Sequence, residues 1–286
     1  MHDLPTITDL VDAGALFACS HSGGKDSQAM AIRLRQLVPA DQLVFIHANL
    51  GDVEHAGVID HIHDTLLPGE HLDIVVSHWG LHDLIRDRRA KLDAQGKTDT
   101  PHFPDAQRYC TSTLKRDPIE KRLKQLVKEH STRTRSAPGW AGRRVHIKSL
   151  VVDCQGLRIQ ESGTRGKRLG AVVSHNPHGE YLKENNRLRA PTLGRRGFLY
   201  YPLAELSADE VFDIIREAGQ EPHPMYAAGN DRLSCAFCIF GSKNDLRNAA
   251  RAYPDLARRT IALETETGFT MAPDRIPLID KIGDLL

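Results

Sequence analysis

From Ala15 to Leu92 the sequence alternates between short apolar runs and helical patterns, and no other feature constrains the fold as strongly. Each apolar run has the length and composition of a strand that is buried on both faces. The predicted order is strand Ala15–Cys19, helix Ser27–Leu37, strand Leu43–His47, helix Glu54–Leu66, strand Leu72–Ser77 and helix Leu81–Leu92. Repeated strand–helix–strand units predict a twisted parallel sheet with helices on both faces and right-handed crossovers, which is an α/β fold.

The rest of the chain continues this pattern and ends in helices. The predicted elements are a loop at 94–107, a basic helix Ser112–Glu129, a strand Val145–Asp153, a helix Ser207–Ala218 and a helical region Lys243–Thr265. Pro254 is expected to break the last region, since proline cannot continue a helix ladder. We therefore expect an α/β domain over residues 1–240 and a helical C-terminal extension over 241–286.

Composition limits the class of protein and its compartment. The chain has 286 residues, of which 40% are hydrophobic and 26% charged, and its formal net charge of +1 implies no global polyanion partner. Its five cysteines do not suit a secreted disulfide framework. The N-terminus has no signal-peptide pattern, and no stretch is apolar enough to cross a bilayer. A cytoplasmic protein with no membrane partner is the expectation.

A glycine-rich loop joins the first predicted strand to the first predicted helix. Backbone N–H groups and the positive end of a helix dipole meet at such a turn and form an anion site. Lys25 adds a positive charge, and Asp26 can orient Mg²⁺ or Lys25. The predicted phosphate-binding residues are Ser20, Ser22, Gly23, Gly24, Lys25, Asp26 and Ser27. The alternative is a plain glycine turn with a capping serine.

This loop resembles the Ser-Gly-Gly-x-Asp-Ser loop of the PP-loop ATP pyrophosphatases, which cleave ATP between the α and β phosphates. Three later segments resemble motifs of the PAPS reductase family, in that family's order. They are Tyr109-Cys110-Thr-Ser-Thr-Leu-Lys115-Arg-Asp-Pro118, Gly156-Leu-Arg158-Ile-Gln-Glu161-Ser162-Gly-Thr-Arg165, and His223-Pro224-Met-Tyr226 followed by Gly229, Arg232, Cys235 and Cys238. The resemblance implies the Rossmann-like fold of the adenine nucleotide alpha hydrolases, with nucleotide binding in the 1–240 domain.

The intact loop favours ATP over a nucleotide that lacks a triphosphate. Sulfonucleotide reductases also use a nucleophilic cysteine in a C-terminal tail, whereas this sequence has no cysteine after Cys238. The chain therefore looks closer to the ATP-using branch that includes the DNA phosphorothioation protein and the tRNA thiolation enzymes. The resemblance implies adenylation of a substrate followed by sulfur transfer, with Lys25, Asp26 and Arg158 as catalytic residues.

Two other functions stay open. One is a PAPS or APS reductase that takes its thiol from a partner, which would release sulfite without ATP. The other is a nucleotide-binding accessory subunit of a nucleic-acid-handling complex, which would bind ATP but turn over little of it alone. Beyond ATP, the expected partner classes are a nucleic acid substrate, a sulfur-donor protein and a second copy of the chain.

Further polar residues are predicted to contact the nucleotide or its Mg²⁺. Ligands of parallel sheets lie beyond the carboxyl ends of the strands, and arginine forks and carboxylates suit phosphates and Mg²⁺ respectively. The predicted set is His47, Asn49, Asp52, Lys115, Arg158, Glu161, Ser162, Arg165 and Arg232. Asp52 could instead cap the next helix. Glu161 and Arg165 could instead pair on a solvated helix face.

Four cysteines are predicted to hold a metal centre. Cys235 and Cys238 form a Cys-x-x-Cys pair, Cys110 occupies the family's other cluster-ligand position, and Cys154 is a fourth candidate. Four thiolates suit a 4Fe-4S cluster or tetrahedral Zn²⁺, and both stay open. Alternatively the pair is two unrelated thiols and Cys154 a small buried hydrophobe. Cys19, inside the first strand, is predicted to lie in the core.

Two arginine-rich stretches are candidate contacts for nucleic acid phosphates. The first, an exposed basic insertion at 131–144, carries Arg133, Arg135, Arg143 and Arg144. The second, a predicted loop Arg187–Arg196, carries Arg187, Arg189, Arg195 and Arg196. The alternative for both is an ordinary solvated charged loop.

Overall fold

The computed structural model describes residues 4–101, 103, 108–130, 149–170, 179–189 and 195–286, with the backbone alone at 164, 165, 168 and 170. The strands of this part are β1 (Leu16–Ser20), β2 (Leu43–Asn49), β3 (Leu72–Val76), β4 (Ser149–Cys154), β5 (Leu182–Glu184) and β6 (Arg195–Tyr200). Its α-helices are α1 (Ile7–Asp12), α2 (Lys25–Leu37), α3 (Val58–Thr65), α4 (Leu81–Ala94), α5 (Asp117–Glu129), α6 (Gly163–Gly170), α7 (Ala208–Glu217), α8 (Lys243–Ala252), α9 (Pro254–Thr267) and α10 (Leu278–Ile282). A π-helical segment, Thr111–Arg116, leads directly into α5.

The strands form one sheet in the order β3-β2-β1-β4-β6-β5. Strand β1 pairs in parallel with β2 and β4, β4 pairs in parallel with β6, and β5 pairs antiparallel to β6. The chain runs outward from β1 to β3 and then returns to β4 on the other side of β1. The carboxyl ends of β1 and β4 therefore flank a topological switch point, where open α/β sheets bind ligands. The predicted α/β class with a parallel sheet is confirmed.

The core of the sheet lies along its central strands. All six residues of β4 are buried, and Phe17 of β1, Phe45 of β2 and Phe198 of β6 are 0% exposed. Near-continuous apolar strands of this kind are expected where helices cover both faces of a parallel sheet. The parallel register places Ala18 opposite Asp153 and Cys19 opposite Cys154.

The chain divides into two compact units built from interleaved segments. The first comprises Met1–His47, Ile62–Ile74 and Ile119–Pro222, and the second comprises Ala48–His61, Val75–Pro118 and His223–Leu286. The second unit has an apolar core of its own, which includes Leu84, Leu246, Leu263 and Leu278. The division into 1–240 and 241–286 stays a prediction.

Two local predictions need correction. The helix predicted over Glu54–Leu66 is a 3-10 turn at Gly51–Val53 followed by α3, and Gly57, with φ of +77°, lies between them in a conformation that favours glycine. The loop predicted over Arg187–Arg196 is wrong at its end, because Arg195 and Arg196 begin β6. Their backbone pairs with Ser149 and Leu150 of β4, and this pairing overrides the local proline and glycine signal.

Some predictions fall outside the described residues. The basic insertion at 131–144, with Arg133, Arg135, Arg143 and Arg144, lies there, as do residues 145–148 of the predicted fourth strand. Within the described ranges, no helix combines the length and apolar character needed to cross a bilayer.

Candidate functional site

A tight turn connects β1 to α2 at the carboxyl edge of the sheet. The Ser22 N–H donates to Ser27 Oγ at 3.0 Å, and Ser27 Oγ donates to the Gly24 carbonyl at 2.9 Å. The Gly23 N–H donates to His21 Nδ1 at 3.1 Å. Gly23 takes a φ of +73°, in the left-handed region that favours glycine. These bonds fold residues 21–24 into a compact loop whose shape depends on Gly23 and Ser27.

The first turn of α2 has the geometry of an anion site. Gly24 is the N-cap residue and makes no side-chain cap, since glycine has no side chain. The N–H groups at the start of a helix have no partner within the helix, and the helix dipole makes this end positive. The strand-to-helix corner predicted as a phosphate loop is thus present, with Ser20 as the last residue of β1.

Lys25 is held at this corner and is not a freely mobile surface lysine. Its side chain is only 8% exposed. The ammonium lies 3.8 Å from Asp26 Oδ2 and 5.7 Å from the centre of the Phe212 ring on α7. The charge of Lys25 is therefore placed beside the N-terminus of α2 in a site with little water.

The segment after β4 reaches the same corner. Arg158 Nε donates to Asp26 Oδ1 at 2.5 Å, and Nη1 of the same guanidinium donates to the Leu206 carbonyl at 3.2 Å. The backbone of Gly156 packs so closely on α2 that an added Cβ would lie 2.9 Å from the Asp26 carbonyl oxygen. Two segments that the sequence separates by 132 residues thus meet at Asp26. All these residues belong to the first compact unit.

Two further predicted residues support this arrangement through the backbone. The carboxylate of Glu161 accepts from the Arg158 N–H at 3.1 Å. His47, which is 1% exposed, places Nδ1 2.9 Å from the His21 carbonyl oxygen. Glu161 thus helps to fix Arg158, and His47 helps to fix the loop.

Four predicted nucleotide contacts lie in the second unit. Asn49 Oδ1 accepts from the Gly51 N–H at 2.7 Å, and Asp52 Oδ2 accepts from Arg259 Nη1 at 2.6 Å. Lys115 is half-buried in the π-helical segment, and Arg232 is exposed. The observed hydrogen bonds fit a structural role as well as nucleotide binding, so the predicted contacts of these four residues with the nucleotide stay predictions.

The last two residues of the second motif are Ser162 and Arg165. Ser162 is exposed and directly precedes α6, and Arg165 lies within α6, with its side chain outside the described part. Their predicted phosphate contacts are not tested by these positions.

Three of the four predicted metal ligands lie near one another in the second unit. Cys235 and Cys238 share a hydrogen bond between their side chains, and Cys110 and Lys115 are close enough to act on them electrostatically. The hydrogen bond from Cys235 lowers the pKa of Cys238, and the cation of Lys115 acts in the same direction. The pair thus favours one thiolate, at Cys238.

A complete metal site is not formed by these side chains. Within the ranges described, no three cysteine, histidine or carboxylate side chains are arranged to hold a metal ion. Cys154 lies in β4 in the first unit beside Cys19, both 0% exposed, and burial raises the pKa of the Cys154 thiol well above its usual value. The 4Fe-4S and zinc assignments, and ligation by Cys154, stay predictions.

The second arginine-rich stretch is largely ion-paired. Arg187 Nη1 donates to Glu120 Oε2 at 2.6 Å, Arg189 lies 3.5 Å from Glu184, and Arg196 also pairs with Glu184. These pairs reduce the charge that the stretch offers to a polyanion. Contact with nucleic acid stays a prediction.

Sequence reasoning missed Phe212 and Gln28 as parts of the site. Phe212 belongs to α7, whose apolar pattern indicates only a face turned to the core. Gln28 is 0% exposed, and its amide donates to Gln220 Oε1 and to the Glu221 carbonyl, both at 3.0 Å. A buried glutamine one turn into the helix is visible in the sequence, but its partners are set by the packing of α7 on α2.

Chains similar to this one are found among solved structures. No family model matches the chain, and no curated protein matches it. A solved structure of phosphoadenylyl-sulfate (PAPS) reductase from Candida auris, in a phosphate complex, is similar over 76% of this chain and 80% of that chain. Its TM-score is 0.41 and its sequence identity 10%. The assignment of function therefore depends on the residues of this chain.

Proposed function

We propose that this chain is an enzyme that binds ATP at the β1–α2 corner and cleaves it between the α and β phosphates to adenylate a substrate. One observation carries the proposal: the contact of Arg158 with Asp26 in the first turn of α2. It joins the two sequence segments that resemble nucleotide-binding motifs at one edge of the sheet. A plain glycine turn would not need an arginine from a segment that lies 132 residues further along the chain.

The chemistry proposed is positioning combined with electrostatic stabilisation. An oxygen of the substrate attacks the α-phosphorus, the bond to the bridging oxygen breaks, and pyrophosphate leaves. The amides at the start of α2, Lys25 and Arg158 stabilise the charge that develops on the phosphate oxygens. Asp26 and Glu161 are the carboxylates available for Mg²⁺, which would neutralise part of the triphosphate charge.

Sulfur transfer is the proposed second half of the reaction. A sulfur nucleophile would attack the adenylated substrate and displace AMP. Support comes from the motif resemblance and from the proximity of Cys110, Cys235 and Cys238 in the second unit. Nucleic acid is the proposed acceptor because of the two arginine-rich stretches, and the cytoplasm is the proposed compartment.

The deciding experiment is product analysis after anaerobic purification. The protein is incubated with ATP and Mg²⁺, with and without candidate acceptors, and the products are resolved by ³¹P NMR. Pyrophosphate is expected together with the adenylated acceptor, or with AMP where water takes the acceptor's place, whereas ADP and phosphate would contradict cleavage at the α–β bond. Iron and sulfide analysis of the same sample tests the 4Fe-4S prediction against zinc.

The same preparation separates the two alternatives. ATP that binds without any turnover, even with acceptors present, would favour a nucleotide-binding accessory subunit. Sulfite released from PAPS by an added thiol in the absence of ATP would favour a sulfonucleotide reductase. Arg258→Ala, which removes an exposed arginine paired with Asp255, is the control for Arg158→Ala in all of these assays.

A further inference from the structure

Helix α7 contacts the first turns of α2 at two points. Phe212 of α7 faces the Lys25 ammonium, and the segment after α7 accepts hydrogen bonds from the buried Gln28 amide through Gln220 and Glu221. The proposed phosphate site is therefore bounded by α7 as well as by the loops after β1 and β4. Of the three residues, Phe212 is the one that contacts a charged side chain of the site, that of Lys25.

The surroundings of Lys25 show why an aromatic ring matters there. An ammonium whose side chain is 8% exposed has lost most of its water and needs compensating contacts. Asp26 supplies a carboxylate at 3.8 Å, longer than a hydrogen bond, and that carboxylate is shared with Arg158. The Phe212 ring centre lies 5.7 Å from the ammonium, within the range over which an aromatic face attracts a cation.

We propose that Phe212 is a positioning residue for Lys25, holding the ammonium beside the N-terminus of α2 where the phosphates of ATP bind. This inference rests on the proposed function, and it adds α7 to the residues that determine affinity for the triphosphate. The ring attracts the cation without a hydrogen bond and carries no negative charge that would repel a phosphate. A second carboxylate at this position would hold the lysine more tightly and repel the phosphates.

A cavity lies next to this contact, and it indicates what would happen if the Phe212 side chain were shortened. It measures about 560 Å³ and is lined by Asp209, Phe212, Asp213, Ile215, Arg216, Gln220, Glu221 and Pro222. Since Phe212 is part of the lining, shortening its side chain would enlarge the cavity and admit water beside Lys25. The ammonium would then be drawn toward water, away from the phosphate site.

The test compares Phe212→Leu and Phe212→Met with the conservative Phe212→Tyr. Leucine and methionine keep apolar bulk without a ring face, and either one serves if the other does not fold. We expect ATP to bind these two variants about three- to tenfold more weakly, while Phe212→Tyr stays near the wild type. Phe269→Leu, which removes the ring facing Arg89 in the second unit, is the matched control and is expected to bind ATP normally.

A second readout does not depend on ATP. The rate at which an amine-reactive acylating reagent labels Lys25 is followed by mass spectrometry. We expect Lys25 to react about three- to tenfold faster in Phe212→Leu than in the wild type, and at the wild-type rate in Phe212→Tyr and Phe269→Leu. Equal labelling in all four proteins, or equal ATP affinity of folded Phe212→Leu and wild type, would overturn the inference. A wild type that binds no ATP would contradict the proposed function instead, and the labelling rates would still decide the role of Phe212.

Discussion

At the scale of single residues, Asp26 is the group on which the site depends. It accepts from Arg158 at 2.5 Å and lies 3.8 Å from the Lys25 ammonium, so one carboxylate orients two cations. Its backbone carbonyl is also the atom that Gly156 approaches most closely. Because Gly156 has no side chain, the loop after β4 can approach α2 closely enough for Arg158 to contact Asp26.

The first prediction concerns that close approach. Gly156→Ala would place a Cβ 2.9 Å from the Asp26 carbonyl oxygen, and neither backbone can yield without moving Arg158. We expect a loss of about 1–3 kcal/mol in the free energy of unfolding and weaker ATP binding. Urea denaturation measures the first effect and calorimetry the second. Gly163→Ala, where nothing lies within 4 Å of the added Cβ, is the matched control, and a loss of equal size there would refute the steric explanation.

A buried histidine in the second unit makes stability depend on pH. His55 is 3% exposed and packs against the Tyr253 ring at 5.6 Å. Burial lowers its pKa from 6.5 to about 4, with His223 acting in the same direction, while Asp245 and Glu54 oppose the shift. The folded protein therefore disfavours the protonated form. The unfolded chain takes up more protons below pH 6.5, so stability is lost as the pH falls from 6.5 toward 4.

The second prediction follows from this loss of stability at low pH. Between pH 7.5 and pH 5 the His55 contribution to the free energy of unfolding falls by about 2 kcal/mol, as expected for a shift of this size. His55→Gln should remove this part of the pH dependence, whereas His71→Gln, at a side chain 76% exposed, should leave it in place. Urea midpoints across this range measure the effect. Parallel curves for the wild type and His55→Gln would contradict it.

At the scale of elements, the packing of α7 and its following segment on α2 supports the site. The Gln28 amide, 0% exposed, donates to two acceptors after α7. A hydrogen bond of this kind contributes about 0.5–1.5 kcal/mol, and the Gln28 amide makes two. This glutamine is therefore expected to help fix the position of α7 on α2, and with it that of Phe212.

The third prediction tests that dependence. Gln28→Ala is expected to lower the free energy of unfolding by about 1–3 kcal/mol, because Gln220 and the Glu221 carbonyl lose their donor. Gln36→Ala makes the same change at an exposed position of the same helix and should change stability by less than about 0.5 kcal/mol. Thermal and urea unfolding of both variants measure the difference. Equal effects at the two positions would show that the contact between α2 and α7 does not stabilise the fold.

Much of the fold could be predicted at this scale, and the limits have physical causes. The first three strands and the helices α2 and α4 were predicted within about two residues, because apolar pattern and glycine position are local signals. Strands β5 and β6 were missed because the chain there is rich in arginine and glycine, and it becomes a strand only by pairing with β4 and with each other. Tertiary pairing of this kind leaves no periodic mark in the sequence.

The candidate site could also be predicted only in part. The loop from Ser22 to Ser27 could be predicted from the sequence, since a strand, two glycines and a helix start are adjacent along the chain. Arg158 could be assigned only through a motif resemblance, and its contact with Asp26 comes from the fold. Phe212 could not be predicted, because an aromatic residue on an amphipathic helix indicates core packing first.

At the scale of the whole molecule, the two compact units contain different candidate groups. The first unit contains the β1–α2 corner with Arg158, and the second contains Cys110, Cys235 and Cys238. The proposed adenylation depends on the corner in the first unit, whereas the proposed sulfur transfer also needs the cysteines of the second. The fourth prediction is that Cys235→Ser abolishes any sulfur transfer to an acceptor while pyrophosphate and the adenylated acceptor are still formed. Simultaneous loss of both activities in a folded variant would contradict this separation.

The central claim, that the corner between β1 and α2 binds the triphosphate of ATP, is tested most directly by one calorimetric titration. ATP with Mg²⁺ is titrated into the wild type, into Lys25→Ala, and into Lys124→Ala as a control at an exposed lysine of α5. The claim predicts that Lys25→Ala binds ATP at least about tenfold more weakly, since a charged contact to phosphate is lost, while Lys124→Ala binds as the wild type does. Equal affinity in all three proteins would contradict it.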